Sequence, residues 1–240
     1  MLISPSALLP DGGYDLVLHF HGKEPVKRIA AASNLQVIVA ALDKGDSSGD
    51  YAGVVRSKAE LETLIHGIDA TVSASTGQQA HVRSLLVSSF SAGFEAVRQV
   101  LTASPDLPEL SGVLLLDSLY GSYQGLSKNV DLERLAPFES FARRALESPQ
   151  TSFMLTHSRV PTEGYANTAE VADTLIERLL MRVDRTRTGG TRSLERRAEE
   201  KGVILRGYAG SDRDAHCAHL GLFPELVASW QERARGASTR

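Results

Sequence analysis

A chain of 240 residues with 42% hydrophobic content can bury one sizeable core, and a single domain over residues 1–240 is expected. A formal net charge of -3 gives no electrostatic drive toward nucleic acid, and one cysteine, Cys217, rules out an internal disulfide or a cysteine-built zinc site. No apolar run reaches membrane-span length, and Met1-Leu-Ile-Ser-Pro5 lacks the charged start and apolar core of a signal peptide. A soluble protein is expected, cytoplasmic as written, with an exported form trimmed of its signal also compatible.

Gly13 to Phe20 reads as a buried strand that breaks at His21-Gly22-Lys23. His19 and His21, two apart, would share a strand face. That spacing also suits a metal, which keeps a His-ligated metallohydrolase as one alternative. The preferred reading puts His21 at a pocket mouth and His19 in the core, hydrogen-bonded. A short helix over Val26–Ala32 and a strand over Leu35–Leu42 follow. The polar, glycine-rich loop after them runs from Asp43 to Ala52. Loops at the carboxyl ends of parallel strands form the ligand crevice, so Ser47, Ser48 and Tyr51 are candidate substrate contacts.

Leu61, Leu64, Ile65 and Ile68 form the stripe of an amphipathic helix beginning near Lys58. Ser84 to Ser89 is then an apolar strand, and Phe94 to Ala103 carries helical spacing up to the Pro105 and Pro108 breakers. Between them stands Ser89-Phe-Ser-Ala-Gly93, which fits the small-x-Ser-x-Gly pattern of a nucleophile elbow. A strained turn lifts the Ser91 hydroxyl clear of the sheet. Small neighbours let strand and helix pack beneath it, and the Ala92 amide sits at a helix N-terminus, where an oxyanion would be stabilised.

Gly112 to Leu116 is another apolar strand, ending on Asp117, with Tyr120 in the turn beyond as a further substrate contact. Residues 120–150 carry no strand pattern and read as a small lid or cap insertion. Thr151–Thr156 is a strand whose loop offers Glu163 as its acid. Asn167 to about Arg187 reads as a helix with Val171, Leu175, Ile176, Leu179 and Val183 on its apolar face. The arginine-dense stretch from Arg178 to Arg197, interrupted by Gly189-Gly190, reads as a solvated helix end and loop. Gly202–Tyr208 is the last strand. His216 lies in the loop after it, His219 begins the final amphipathic helix with its side chain on the packed face, and Asp212 or Asp214 shapes the turn.

Strands alternate with helices throughout, which predicts an α/β fold: a mostly parallel central sheet with helices on both faces. On His21-Gly22 after an early strand, the Ser89–Gly93 elbow, Asp117 at a strand end and His216 near the carboxyl terminus, the chain resembles the α/β-hydrolase superfamily over nearly its whole length. Two positions depart from that pattern. Ser89 stands where glycine is usual, and the loop after Thr156, where many relatives carry the acid, has no aspartate. The resemblance implies a serine hydrolase acting on an ester, thioester or amide of a small acyl substrate through an acyl-enzyme, with no cofactor. Ser91 would be the nucleophile and His216 the base, with His219 as second choice. Asp117 would orient the base, with Glu163 as second choice. Ala92 with Gly22 or Lys23 would supply the oxyanion-hole amides. A non-catalytic ligand-binding protein on the same scaffold is the other alternative.

Overall fold

The computed structural model describes residues 1–3, 7–125, 127–186 and 193–236. Its strands form one nine-stranded sheet. In chain order these are β1 (Leu2–Ile3), β2 (Gly13–Phe20), β3 (Ile38–Leu42), β4 (His81–Phe90), β5 (Leu110–Leu116), β6 (Ser152–His157), β7 (Asp184–Arg185), β8 (Leu194–Glu200) and β9 (Val203–Tyr208). The spatial order is β1-β3-β2-β4-β5-β6-β9-β8-β7. In that order every pairing from β3 through β9 is parallel, while β1, β8 and β7 add antiparallel edges.

Parallel neighbours need crossovers, and helices supply them: α1 (Lys23–Ala31), α2 (Lys58–Thr76), α3 (Phe94–Ala103), α4 (Leu132–Glu147) and α5 (Thr168–Arg178). The chain closes with α6 (Arg213–Ala218) and α7 (Phe223–Ala234). Alternation along the strands splits the core in two. On β4, Leu85 and Val87 join the layer packed by α2 to α5. Leu86 and Phe90 join the layer packed by α1 and α7, whose centre is the fully buried Trp230. Among the described residues no helix is long and apolar enough to cross a membrane.

Local signals set the helix ends. Ser57 accepts the Glu60 amide at the start of α2, and Gly77 ends it at φ 71°, so the helix continues well beyond Ile68. Asn167 and Glu170 cap each other reciprocally at the start of α5.

Three expectations are corrected. Residues 132–147 are not a lid: they form α4, the crossover from β5 to β6, with Leu135, Phe138, Phe141, Ala142 and Ala145 buried in the core. The helix expected to reach Arg187 stops at Arg178, because Leu180 turns left-handed at φ 56° and the chain leaves the layer with Val183 exposed. The stretch read as a solvated loop runs into β8, which only the two-residue β7 covers on its outer side and whose Ala198 is the one buried residue among charged neighbours. Charge suits a strand left largely uncovered because it discourages pairing with another chain. The Gly189-Gly190 interruption lies outside the described residues.

At the end of the sheet where β2 begins, Asp15 is buried beneath donors from distant parts of the chain. Arg83 and Arg235 approach it as ion pairs, and Gln231 donates to Oδ2 at 2.9 Å. A buried carboxylate is tolerated only when compensated in this way.

Candidate active site

At the opposite, carboxyl end of the parallel strands, four non-glycine residues adopt positive φ: His21 at 70°, Ser91 at 48°, Asp117 at 41° and Leu119 at 117°. The first three follow directly on their strands, β2, β4 and β5. Such conformations cost of order 1–2 kcal/mol apiece, and their clustering at one edge marks a site.

Ser91 opens a short 3-10 turn that runs into α3. Close packing here demands Gly93, since a Cβ at that position would lie 2.2 Å from the Phe20 carbonyl oxygen. Ser89, which replaces the usual glycine, is buried and shares a 2.7 Å hydrogen bond with the Ser118 hydroxyl. Ser118 in turn donates to the Ser91 carbonyl at 2.8 Å. The serine at 89 is therefore part of a brace under the turn.

Asp117 is fully buried, and its carboxylate is saturated with donors. Oδ1 accepts from the Ser158 amide at 2.8 Å and the Thr168 hydroxyl at 2.6 Å. Oδ2 accepts from the Ser158 hydroxyl at 2.6 Å and lies 2.7 Å from His216 Nδ1. Burial pushes this carboxyl up, but the His216 bond, the nearby His219 and the Ser158 and Thr168 hydroxyls outweigh it, holding the group well below the usual carboxylate range. The loop after β6, where an acid was sought, instead supplies donors, and Glu163 on it is exposed.

His216 sits on α6, which is started by Asp212 accepting the Ala215 amide at 2.8 Å. Its ring stacks on Phe90, the residue before Ser91, with centroids 4.5 Å apart. Asp117 and His216, 99 positions apart, thus meet, and Ser91 follows directly on the Phe90 that stacks with His216. His219 does not join them in the same way: it is buried, with Nδ1 2.8 Å from the Thr156 hydroxyl.

Of the two amides named at the β2 turn, that of Lys23 donates to both oxygens of Asp43, at 3.0 and 3.2 Å, which removes Lys23 as an oxyanion donor. Gly22 lies beside Phe90 at φ 80°, where an added Cβ would come 3.4 Å from the ring. His21 lines no part of the cavity described below. Its ring lies parallel to that of Phe90, and Nδ1 sits 3.0 Å from the Tyr51 hydroxyl and 3.2 Å from the Gly45 carbonyl. Tyr51 is not a substrate contact either, because it is fully buried and its hydroxyl ties the loop together by accepting from Lys44 N and donating to Gly45 O. His19 has both ring nitrogens engaged, Nδ1 with Ser88 and Nε2 with the His21 carbonyl, and burial pushes its imidazole down to about 4. With those nitrogens committed, the His-x-His pair presents no joint metal-binding face.

A cavity of about 410 Å³ opens in front of Ser91 and Ala92. Ser47 and Ser48 wall one side, and Tyr120, Phe94 and Tyr165 supply rings. Tyr120 packs on both, at 5.8 Å from Phe94 and 5.7 Å from Tyr165. Its phenol, raised by burial and by the Asp117 charge, interacts with the Ser91 side chain.

Sequence reasoning missed Ser158, Thr168 and Phe90. A signal existed for Ser158: parallel pairing of β5 with β6 brings the residues just past each strand end side by side, Asp117 beside His157 and Ser158. Nothing local marks the other two.

No family model and no curated protein matches the chain. Among solved structures it is similar to the lin2722 gene product of Listeria innocua, at 13% identity and a TM-score of 0.50 over 94% of this chain and 95% of that one. It is also similar to an IroE-like serine hydrolase from Shewanella oneidensis, at 12% identity and 0.48 over 92% and 71%. A third is LpqC, a poly(3-hydroxybutyrate) depolymerase from Bordetella parapertussis, at 11% identity and 0.46 over 93% and 84%. At such identities the likeness is one of fold alone, a mostly parallel sheet with helical crossovers on both faces.

Proposed function

We propose that this α/β-hydrolase-fold chain is a serine hydrolase that cleaves an ester, thioester or amide of a small acyl substrate. The observation that carries the reading is the 2.7 Å contact between His216 Nδ1 and Asp117 Oδ2, made beside a serine held at φ 48° in the mouth of a cavity.

The chemistry follows from that arrangement. Asp117, acceptor-only at neutral pH, fixes the His216 tautomer with its proton on Nδ1 and leaves Nε2 basic. Nε2 takes the Ser91 proton as Oγ bonds to the substrate carbonyl carbon. The oxyanion that forms is met by the Ala92 and Gly22 amides. Collapse of the tetrahedral species breaks the bond to the leaving group, which departs with the proton from Nε2. Water then repeats the sequence on the acyl-enzyme, releasing the acid and restoring Ser91.

A fluorophosphonate probe tests the reading: it should label the wild-type protein at Ser91, and Ser91→Ala should abolish both labelling and turnover of a short acyl ester while keeping the fold. A ligand-binding protein on the same scaffold would ignore the probe. Labelling elsewhere, or undiminished turnover in the variant, would overturn the assignment.

A further inference from the structure

The cavity carries one cation among its described lining residues, Arg134, in the first turn of α4. A helix N-terminus disfavours positive charge, so helix stability does not explain an arginine there. Its ion-pair partner does not need it either. Buried Glu95 is already gripped on both oxygens by Arg98, through Nε to Oε2 at 2.9 Å and Nη2 to Oε1. Arg134 adds a single further bond, Nη2 to Glu95 Oε2 at 3.0 Å.

Two guanidinium groups on one carboxylate leave a net charge of about +1. The tether holds the Arg134 fork in place, while its side chain is 51% exposed where it borders the cavity. Asp46 also lines the cavity and repels any anion, a dianion about twice as strongly as a monoanion, so a single negative charge suits the site better. The planar fork of arginine pairs well with a carboxylate. Neutral hydroxyls from Ser47 and Ser48 and the rings of Phe94 and Tyr120 suit the chain between that carboxylate and the reacting carbonyl.

We infer, building on the serine-hydrolase reading, that the preferred acyl group is a short chain ending in a carboxylate, a monoester of a small dicarboxylic acid, held by Arg134.

The test compares p-nitrophenyl hydrogen glutarate with p-nitrophenyl valerate, which carries a methyl group in place of the carboxylate. The ratio of their kcat/KM values should favour the glutarate in the wild type and fall about tenfold or more in Arg134→Gln. In Asp46→Asn the ratio should rise, which provides a second reading should Arg134→Gln fold poorly. A ratio indifferent to both substitutions overturns the inference while leaving the hydrolase reading intact. If neither ester turns over and the fluorophosphonate leaves Ser91 unlabelled, the hydrolase reading falls. Calorimetric binding of monomethyl glutarate then decides this inference separately: weakening of about tenfold in Arg134→Gln supports it, and equal affinity or no binding to the wild type overturns it.

Discussion

The Ser118 hydroxyl donates to the carbonyl of Ser91 at 2.8 Å and shares a second hydrogen bond with Ser89. With its one proton directed at Ser91, Ser118 must accept from Ser89, so two hydroxyls in series hold a residue whose φ of 48° is intrinsically unfavourable. Ser118→Ala removes the middle link and leaves the buried Ser89 hydroxyl and the half-buried Ser91 carbonyl unanswered. A loss of about 1–3 kcal/mol in urea unfolding is expected, with a fall in kcat/KM from a looser nucleophile. Ser89→Gly should show a smaller stability loss in the same direction. A Ser118→Ala protein as stable and as active as wild type would deny the brace any role.

The choice of acid is open to a paired measurement. Asp117→Asn keeps the volume but offers an amide where His216 and Ser158 need an acceptor. kcat should drop by about three to four orders of magnitude. Glu163→Gln, on an exposed loop, should leave kcat/KM within about twofold of wild type.

The two C-terminal histidines should separate in the same manner. His216→Gln is expected to lower kcat by about a thousandfold or more with little change in melting temperature. His219→Gln loses a buried bond to Thr156 and should register chiefly as a lower melting temperature. Equal kinetic damage from both substitutions would point to a shared role.

Acid sensitivity should come from two buried neutral histidines. Burial pushes His19 down to about 4, and burial together with the Arg196 charge does the same to His157. Unfolded histidine takes its proton near pH 6.5. The unfolded chain therefore binds more protons than the folded one between these values. The stabilisation is complete above about pH 6.5 and is lost as pH falls toward 4, by about 2 kcal/mol per histidine between pH 7 and pH 5. The Asp117 contribution, from a depressed carboxyl, disappears only at still lower pH. Urea titrations at pH 7 and pH 5 check this, and His157→Gln should remove about half of the difference.

Much of the architecture was legible in the sequence because unbroken apolar runs survive wherever a strand is buried on both faces, as from Val113 to Leu116 and from Phe153 to Leu155. β8 was not, since this largely uncovered strand buries only Ala198, and its arginines read as loop. The lid was misjudged for a topological reason. Two parallel neighbours must be joined by a crossover, and residues 132–147 were available for it. Within the site, Ser91, Asp117 and His216 stood out by chain order and small-residue spacing. Tyr51 and Lys23 were misassigned because a loop sequence does not say which groups it uses to hold itself together.

The Asp15 cluster lies far from this chemistry, yet it bears on how the molecule is made. β2 precedes its partners in the chain: that strand's carboxylate gains Arg83 only with β4, and Gln231 and Arg235 only with α7 and its C-cap. The central strands can thus pair before α7 docks, but the tightest closure of the sheet waits for that helix to settle.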